Sequence, residues 1–153
     1  MGRYDDETIL PNWTLARAVR VDWIGLDEAG KETIQSWAFD DCTQEVSCFV
    51  VEEVGGVDGF RSDVLPTIEN ELGTSLRFAT VAVGIVRATG LWIYRKPEEF
   101  HGNTAHVVMC PAQTDDIPKK RFRKLAREIA SHAVLHPPGK NIGGSTESPA
   151  GGF

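Results

Sequence analysis

The chain has little cysteine and no pairing pattern for it. Cys42, Cys48 and Cys110 are the only three in 153 residues. An odd, widely spaced set argues against a disulfide framework and reads as reduced thiols. No apolar run approaches the roughly 18 residues that a membrane span needs. The first stretch, MGRYDDETILPNW, lacks the hydrophobic centre of an export signal. The Gly2 start does not fit a myristoylation signal, because an acid stands where Ser or Thr is needed. These absences predict a cytoplasmic protein with no membrane partner. Phosphate-loop patterns are missing too, because the pairs Gly55–Gly56 and Gly143–Gly144 belong to neither Gly-x-x-x-x-Gly-Lys nor Gly-x-Gly-x-x-Gly.

What is present is an ordinary globular composition, 41% hydrophobic and 25% charged, with an uneven charge distribution. Residues 1–118 hold twenty acids and nine bases, a net −11, and residues 119–153 hold seven bases and two acids, a net +5. Six of those seven bases fall between Lys119 and Arg127. An acidic body joined to a basic segment does not describe a general nucleic-acid binder.

The apolar pattern predicts short strands punctuated by turns. Ala18–Ile24 and Thr33–Phe39 alternate, and the LDEAGKE between them, with Gly30 at positive φ, predicts a hairpin. Val46–Val54 is nearly uniformly apolar at its centre, which predicts a strand buried on both faces. A helix is expected from an Asp63 N-cap, with Pro66 in its first turn, Val64, Leu65, Ile68 and Leu72 on its apolar face and Gly73 ending it. Phe78–Val83, Leu91–Arg95 and Thr104–Cys110 read as further strands, the last of them closing the sheet, and Gly84–Gly90 as one helical turn.

The final helix has the clearest period. Asp116 is its expected cap, and Phe122, Leu125, Ala126, Ile129, Ala133 and His136 fall on one side. Lys120, Arg123, Lys124 and Arg127 fall on the other. These elements predict an α+β fold: a five- or six-stranded, mainly antiparallel sheet with two helices packed on one face. Residues 1–136 would form this single domain, and 137–153, rich in Gly, Pro and Ser, a disordered tail that folding does not need.

Few residue groups carry chemistry. His106 and Cys110 lie on one strand at even separation, and with Cys42 or Cys48 they make a zinc set on paper, but no pair has the tight spacing of a metal site. No metal and no cofactor are therefore expected. Cys110 beside a histidine also invites a thiol nucleophile, but no oxyanion loop surrounds it. Arg17 or Arg20, then Ser36, then Glu52 or Glu53, resemble the Arg, Ser, Glu order of ADP-ribosyltransferase-like folds, although the step from Ser to Glu is short. That chemistry needs all three around one cleft.

The stretch from Gly84 to Leu135 resembles a set of small bacterial proteins with no assigned activity. The likeness rests on Arg87-Ala88-Thr89-Gly90-Leu91, on Asn103-Thr104-Ala105-His106 entering a strand, on the basic final helix, and on Ser36-Trp37-Ala38-Phe39. The usual form has Pro where this chain has Thr104. The resemblance implies a bacterial origin and draws attention to Asn103 and His106.

The leading expectation is a non-enzymatic accessory or regulatory subunit that meets an acidic protein partner through Lys120, Arg123, Lys124 and Arg127. One rival is a small enzyme or nucleotide-binding domain, with a cleft that includes His106 and draws on Asn103, Arg17, Arg20 and Ser36. The other is a nucleic-acid accessory protein using residues 119–127. A pocket joining His106 to Arg17, Arg20 or Ser36 would favour the first rival.

Overall fold

A computed structural model describes residues 3–112 and 115–138. It is an α+β fold built on a six-stranded antiparallel sheet, with a separate two-stranded hairpin. The large sheet comprises β1 (Thr14–Arg20), β4 (Val46–Val50), β5 (Leu76–Ala82), β6 (Leu91–Arg95), β7 (His106–Pro111) and β8 (Val134–His136), in the order β6-β7-β4-β1-β5-β8. The hairpin pairs β2 (Ile24–Leu26) with β3 (Glu32–Ile34) around the expected turn, with Gly30 at φ +80°.

Alternation along the strands makes two cores. Leu15 and Val19 of β1 and Val46, Cys48 and Val50 of β4 point to one face, where Phe122, Ala126 and Ile129 of helix α4 (Lys119–His132) cover them. Ala16 and Phe49 point to the other face and meet Phe60, Val64, Leu65 and Phe78. That second cover is a continuous helical run: α1 (Gly56–Gly59), a π-helical stretch (Phe60–Val64) and α2 (Leu65–Leu72). The helices thus lie on opposite faces rather than together on one. β7 and, Ser47 apart, β4 are buried on both sides for this reason.

Several boundaries differ from the sequence reading. β1 starts at Thr14 and ends at Arg20, because Val21–Trp23 form a 3-10 turn that turns the chain out into the hairpin. Ser36–Phe39 is a 3-10 turn, with Ala38 and Phe39 buried in the core beneath α4. Helix formation begins at Gly56, so Asp63 lies inside the helical run and caps nothing. Gly73, at φ +69°, ends it as expected. Asp116 does not cap α4, whose N-cap is Pro118, and it accepts instead from Arg3 Nη2 over 2.6 Å. β7 is not the last strand either. Ala133 leaves the helix, and Val134–His136 returns along β5 as β8. The tail assigned to 137–153 lies outside the described residues from 139 onward.

The outer strand β6 is covered by the N-terminal segment. Asp6 N donates to Ile93 O and Ile93 N donates to the Asp5 carboxylate, so the edge is not left open. Arg87, in the short helix α3 (Val83–Ala88), fixes that segment by donating to Ile9 O and Asp6 O, which gives the Arg87-Ala88-Thr89-Gly90-Leu91 turn a structural purpose.

At the opposite edge His136 stacks on Phe78 with ring centroids 4.6 Å apart, and its Nε2 lies 2.9 Å from Thr80 Oγ1. Burial, and then the Arg61 charge, hold its pKa below the ordinary histidine value of 6.5. The fold therefore prefers the neutral ring. Its contribution is present above about pH 6.5 and is lost as pH falls from there through the lowered folded value. The melting temperature should fall between about pH 7.5 and pH 5, and His136→Gln should show a smaller fall than the native chain. Equal falls in a thermal melt series would show that His136 does not carry the effect.

Candidate functional site

β1 runs beside β5 for its whole length, from Thr14↔Ala82 to Arg20↔Leu76, but pairs with β4 only at Leu15↔Val50 and Ala16↔Phe49. Beyond Ala16 the seam opens while β4 keeps its pairing with β7. Arg17 occupies the opening. Its Nε donates to Ala38 O over 2.5 Å and its Nη1 donates to Ser47 O over 2.8 Å. Burial holds the Arg17 pKa below the usual arginine value.

A cleft of about 260 Å³ lies over this seam. Its floor is Ser47 and Phe49 of β4 and His106 of β7. One wall is Ile68, Glu71 and Leu72 of α2, and another is Glu99 and Phe100 from the loop before β7. Arg17, Arg20 and Trp23 complete it, with the two guanidinium carbons 5.6 and 6.0 Å from the Trp23 ring centroid. The volume is below the 300–1,000 Å³ or so of typical ligand pockets, so the cleft suits a compact molecule.

His106 is 2% exposed and satisfied at both nitrogens. Nδ1 lies 2.6 Å from Lys96 O, and Nε2 lies 2.7 Å from Ser47 Oγ. A carbonyl only accepts, so the neutral ring carries its proton on Nδ1 and leaves the Nε2 lone pair to accept from the Ser47 hydroxyl. Phe49 meets the ring edge-on at 5.1 Å, and Phe100 stacks at 6.1 Å. Asn103 does not line the cleft. Its Oδ1 accepts from Ala105 N, and its carbonyl accepts from His106 N, so it shapes the turn that delivers His106 into β7.

Of the sequence candidates, the structure brings Arg17, Arg20 and His106 together. It places Ser36 elsewhere, in a separate surface pocket with Asp27, Lys31 and Arg127. Glu52 accepts from Thr14 N, and Glu53 pairs with Arg95. The Arg, Ser, Glu arrangement is therefore not assembled around this cleft.

His106 and Cys110 sit four residues apart on one strand, roughly 13 Å, too far to share a metal ion. Among the described residues no three His, Cys, Asp or Glu side chains form a metal-holding group. Burial pushes the Cys48 and Cys110 thiols up to about 12, so neither is a thiolate nucleophile near neutral pH.

Lys120, Arg123, Lys124 and Arg127 are all exposed on α4, and among the described residues Arg123 alone of the four pairs with a carboxylate, Asp40 at 3.5 Å. No described helix is long and apolar enough to cross a membrane.

Sequence reasoning missed Ser47, Trp23, Glu71 and Phe100. Ser47 had a local signal, as the one polar residue within VSCFV. Phe100 stands in the loop just before β7, and Trp23 and Glu71 come from segments that only the tertiary fold brings near it. Compared with known families, curated proteins and solved structures, the chain matches none.

Arg17 is expected to matter for stability as well as for the cleft. Arg17→Met keeps the apolar stem and removes both donors to the seam carbonyls. It should cost about 2 kcal/mol or more in urea unfolding. A loss under about 0.5 kcal/mol would show that the seam closes without it.

Proposed function

We propose that the chain is a binding domain for a small ligand that combines an anionic group with a flat or apolar body. The observation that carries this is the pair Arg17 and Arg20 in one cleft with no carboxylate salt bridge among the described residues. The acids of the same cleft have partners of their own: Glu71 contacts the His101 ring, and Glu99 pairs at 3.0 Å with Lys96, which also holds Glu45. Arg17 and Arg20 are left to meet an anionic group, and Trp23, Phe49, Phe100, Ile68 and Leu72 offer the ligand an apolar surface.

Benzoate, benzoyl phosphate analogues and nucleoside monophosphates are the probes to screen by thermal shift. At least one should raise the melting temperature in a saturable way, and Arg20→Ala should weaken it by about tenfold, the loss of one charge-assisted contact. Tight binding that survives Arg20→Ala unchanged would overturn the reading.

A second reading rests on α4. Its four-cation stripe faces away from the core, which suits contact with an acidic protein and an accessory or regulatory role. Reversing Lys120, Arg123, Lys124 and Arg127 to Glu should leave Phe122, Ala126 and Ile129 packed and the melting temperature nearly unchanged. It should abolish capture of the acidic partner in a pull-down, mostly through a slower on-rate. Sub-micromolar nucleic-acid binding by the native chain at about 100 mM salt, lost on reversal, would assign the stripe to nucleic acid instead.

A further inference from the structure

We propose that Ser47 is a nucleophile activated by His106, and that the cleft hydrolyses small carboxylic esters. The proposal rests on the cleft being a ligand site. Three features carry it. Ser47 is exposed, although its neighbours Val46 and Cys48 on β4 are buried. Its Oγ is 2.7 Å from His106 Nε2, within the reach that proton transfer needs. The far side of the imidazole is held by the Lys96 carbonyl at 2.6 Å, which fixes the tautomer in which Nε2 is the base. The third member of such an arrangement orients the ring, and here a main-chain carbonyl does so. Phe49 and Phe100 pack against the ring and keep it in that orientation.

The step balances with water as co-reactant. Ser47 Oγ attacks the ester carbonyl carbon. The Oγ–C bond forms, the hydroxyl proton passes to Nε2, and the carbonyl electron pair moves onto oxygen. The guanidinium groups of Arg17 and Arg20 supply the positive charge against which this oxyanion develops. When the tetrahedral intermediate collapses, the C–O bond to the alcohol breaks. The alcohol leaves with the proton from Nε2, and the acyl group stays on Ser47. Water then attacks the acyl carbon and gives a proton to Nε2. The carboxylic acid departs, and Ser47 recovers its proton. The cleft is too small for a long acyl chain, and its aromatic lining favours a short or aromatic acyl group.

A fluorophosphonate probe and 4-nitrophenyl benzoate test this on the full chain. The probe should attach once per chain, on the peptide that contains Ser47, and the ester should release a burst of 4-nitrophenolate. Ser47→Ala should abolish both, and its fold is checked by a thermal melt; the Ser47 carbonyl that Arg17 holds is unaffected by the change. His106→Gln should slow labelling by about 100-fold or more. Ser47→Cys keeps the size of the nucleophile and should restore labelling by iodoacetamide at position 47, faster with His106 present than with Gln there. Failure of the folded native chain to react, or labelling unchanged in Ser47→Ala, overturns the nucleophile. If aromatic anions still raise the melting temperature through Arg20, only the nucleophile falls; if they do not, the ligand site falls with it.

Discussion

The incomplete pairing of β1 with β4 is the feature on which the rest of the site depends. A sheet whose strands stayed paired along their full length would bury Ser47 O in a ladder hydrogen bond and leave no space above it. Here the ladder stops at Ala16↔Phe49, and the side chain of Arg17 takes over, holding Ser47 O on β4 and Ala38 O on the 3-10 turn. One guanidinium thus ties together the sheet, the connection beneath α4 and the floor of the cleft. It does so with groups a carboxylate would otherwise occupy, and among the described residues it forms no salt bridge, with Asp41 acting on it only through space.

Both faces of the sheet contribute to holding that seam. On one, α4 covers Phe39 and Ala38, which fixes the carbonyl that receives Arg17 Nε. On the other, the α1–α2 run brings Phe60 against Phe49 and Phe78, at ring separations of 5.7 and 5.0 Å. Phe49 in turn packs on His106. The connection into α4 is fixed by Gln44, whose buried amide donates to Ile117 O at 2.8 Å and accepts from Ile117 N at 2.9 Å. A two-sided core is why the cleft floor is rigid: Ser47 and His106 stand on central strands, and the loops supply only walls.

The elements with strong periodicity were legible from the sequence. α4 shows its buried Phe122, Ala126 and Ile129 against an exposed basic stripe, and Leu91–Arg95 matches β6 end to end. What failed were the places where a 3-10 turn carries an alternating apolar pattern. Trp23 and Trp37 favour strands by propensity, yet Val21–Trp23 and Ser36–Phe39 are turns, because the chain must leave the sheet to build the hairpin and to pass beneath α4. β8 was hidden by its length, since three residues leave no period to read. His106, Arg17 and Arg20 were identifiable as chemically unusual, and their convergence was not, because it depends on which strand of the sheet lies next to which. Ser36 was named for its place in a sequence order, and order along the chain does not determine proximity across a sheet.

The net −11 of residues 1–118 suggests a body that repels anions, but the pairing map shows where that repulsion is cancelled. Of its nine bases, Arg3, Arg61, Arg77, Arg87, Arg95 and Lys96 each hold a carboxylate among the described residues. Arg95 holds two, Asp6 and Glu53, and Lys96 also holds two, Glu45 and Glu99. These pairs lock the N-terminal segment and the loops, and they quench charge on both sides. The bases without such a pair are Arg17, Arg20 and Lys31, and two of the three line the same cleft. Asp41 acts on Arg17, and Glu71 and Glu99 share the cleft, while charges farther off are screened at physiological ionic strength over a length of about 8 Å. Two arginines stand 5.6 and 6.0 Å from the Trp23 ring, and the acids that share their cleft, Glu71 and Glu99, sit against His101 and Lys96, so the charge balance at this point differs from the sign of the whole chain.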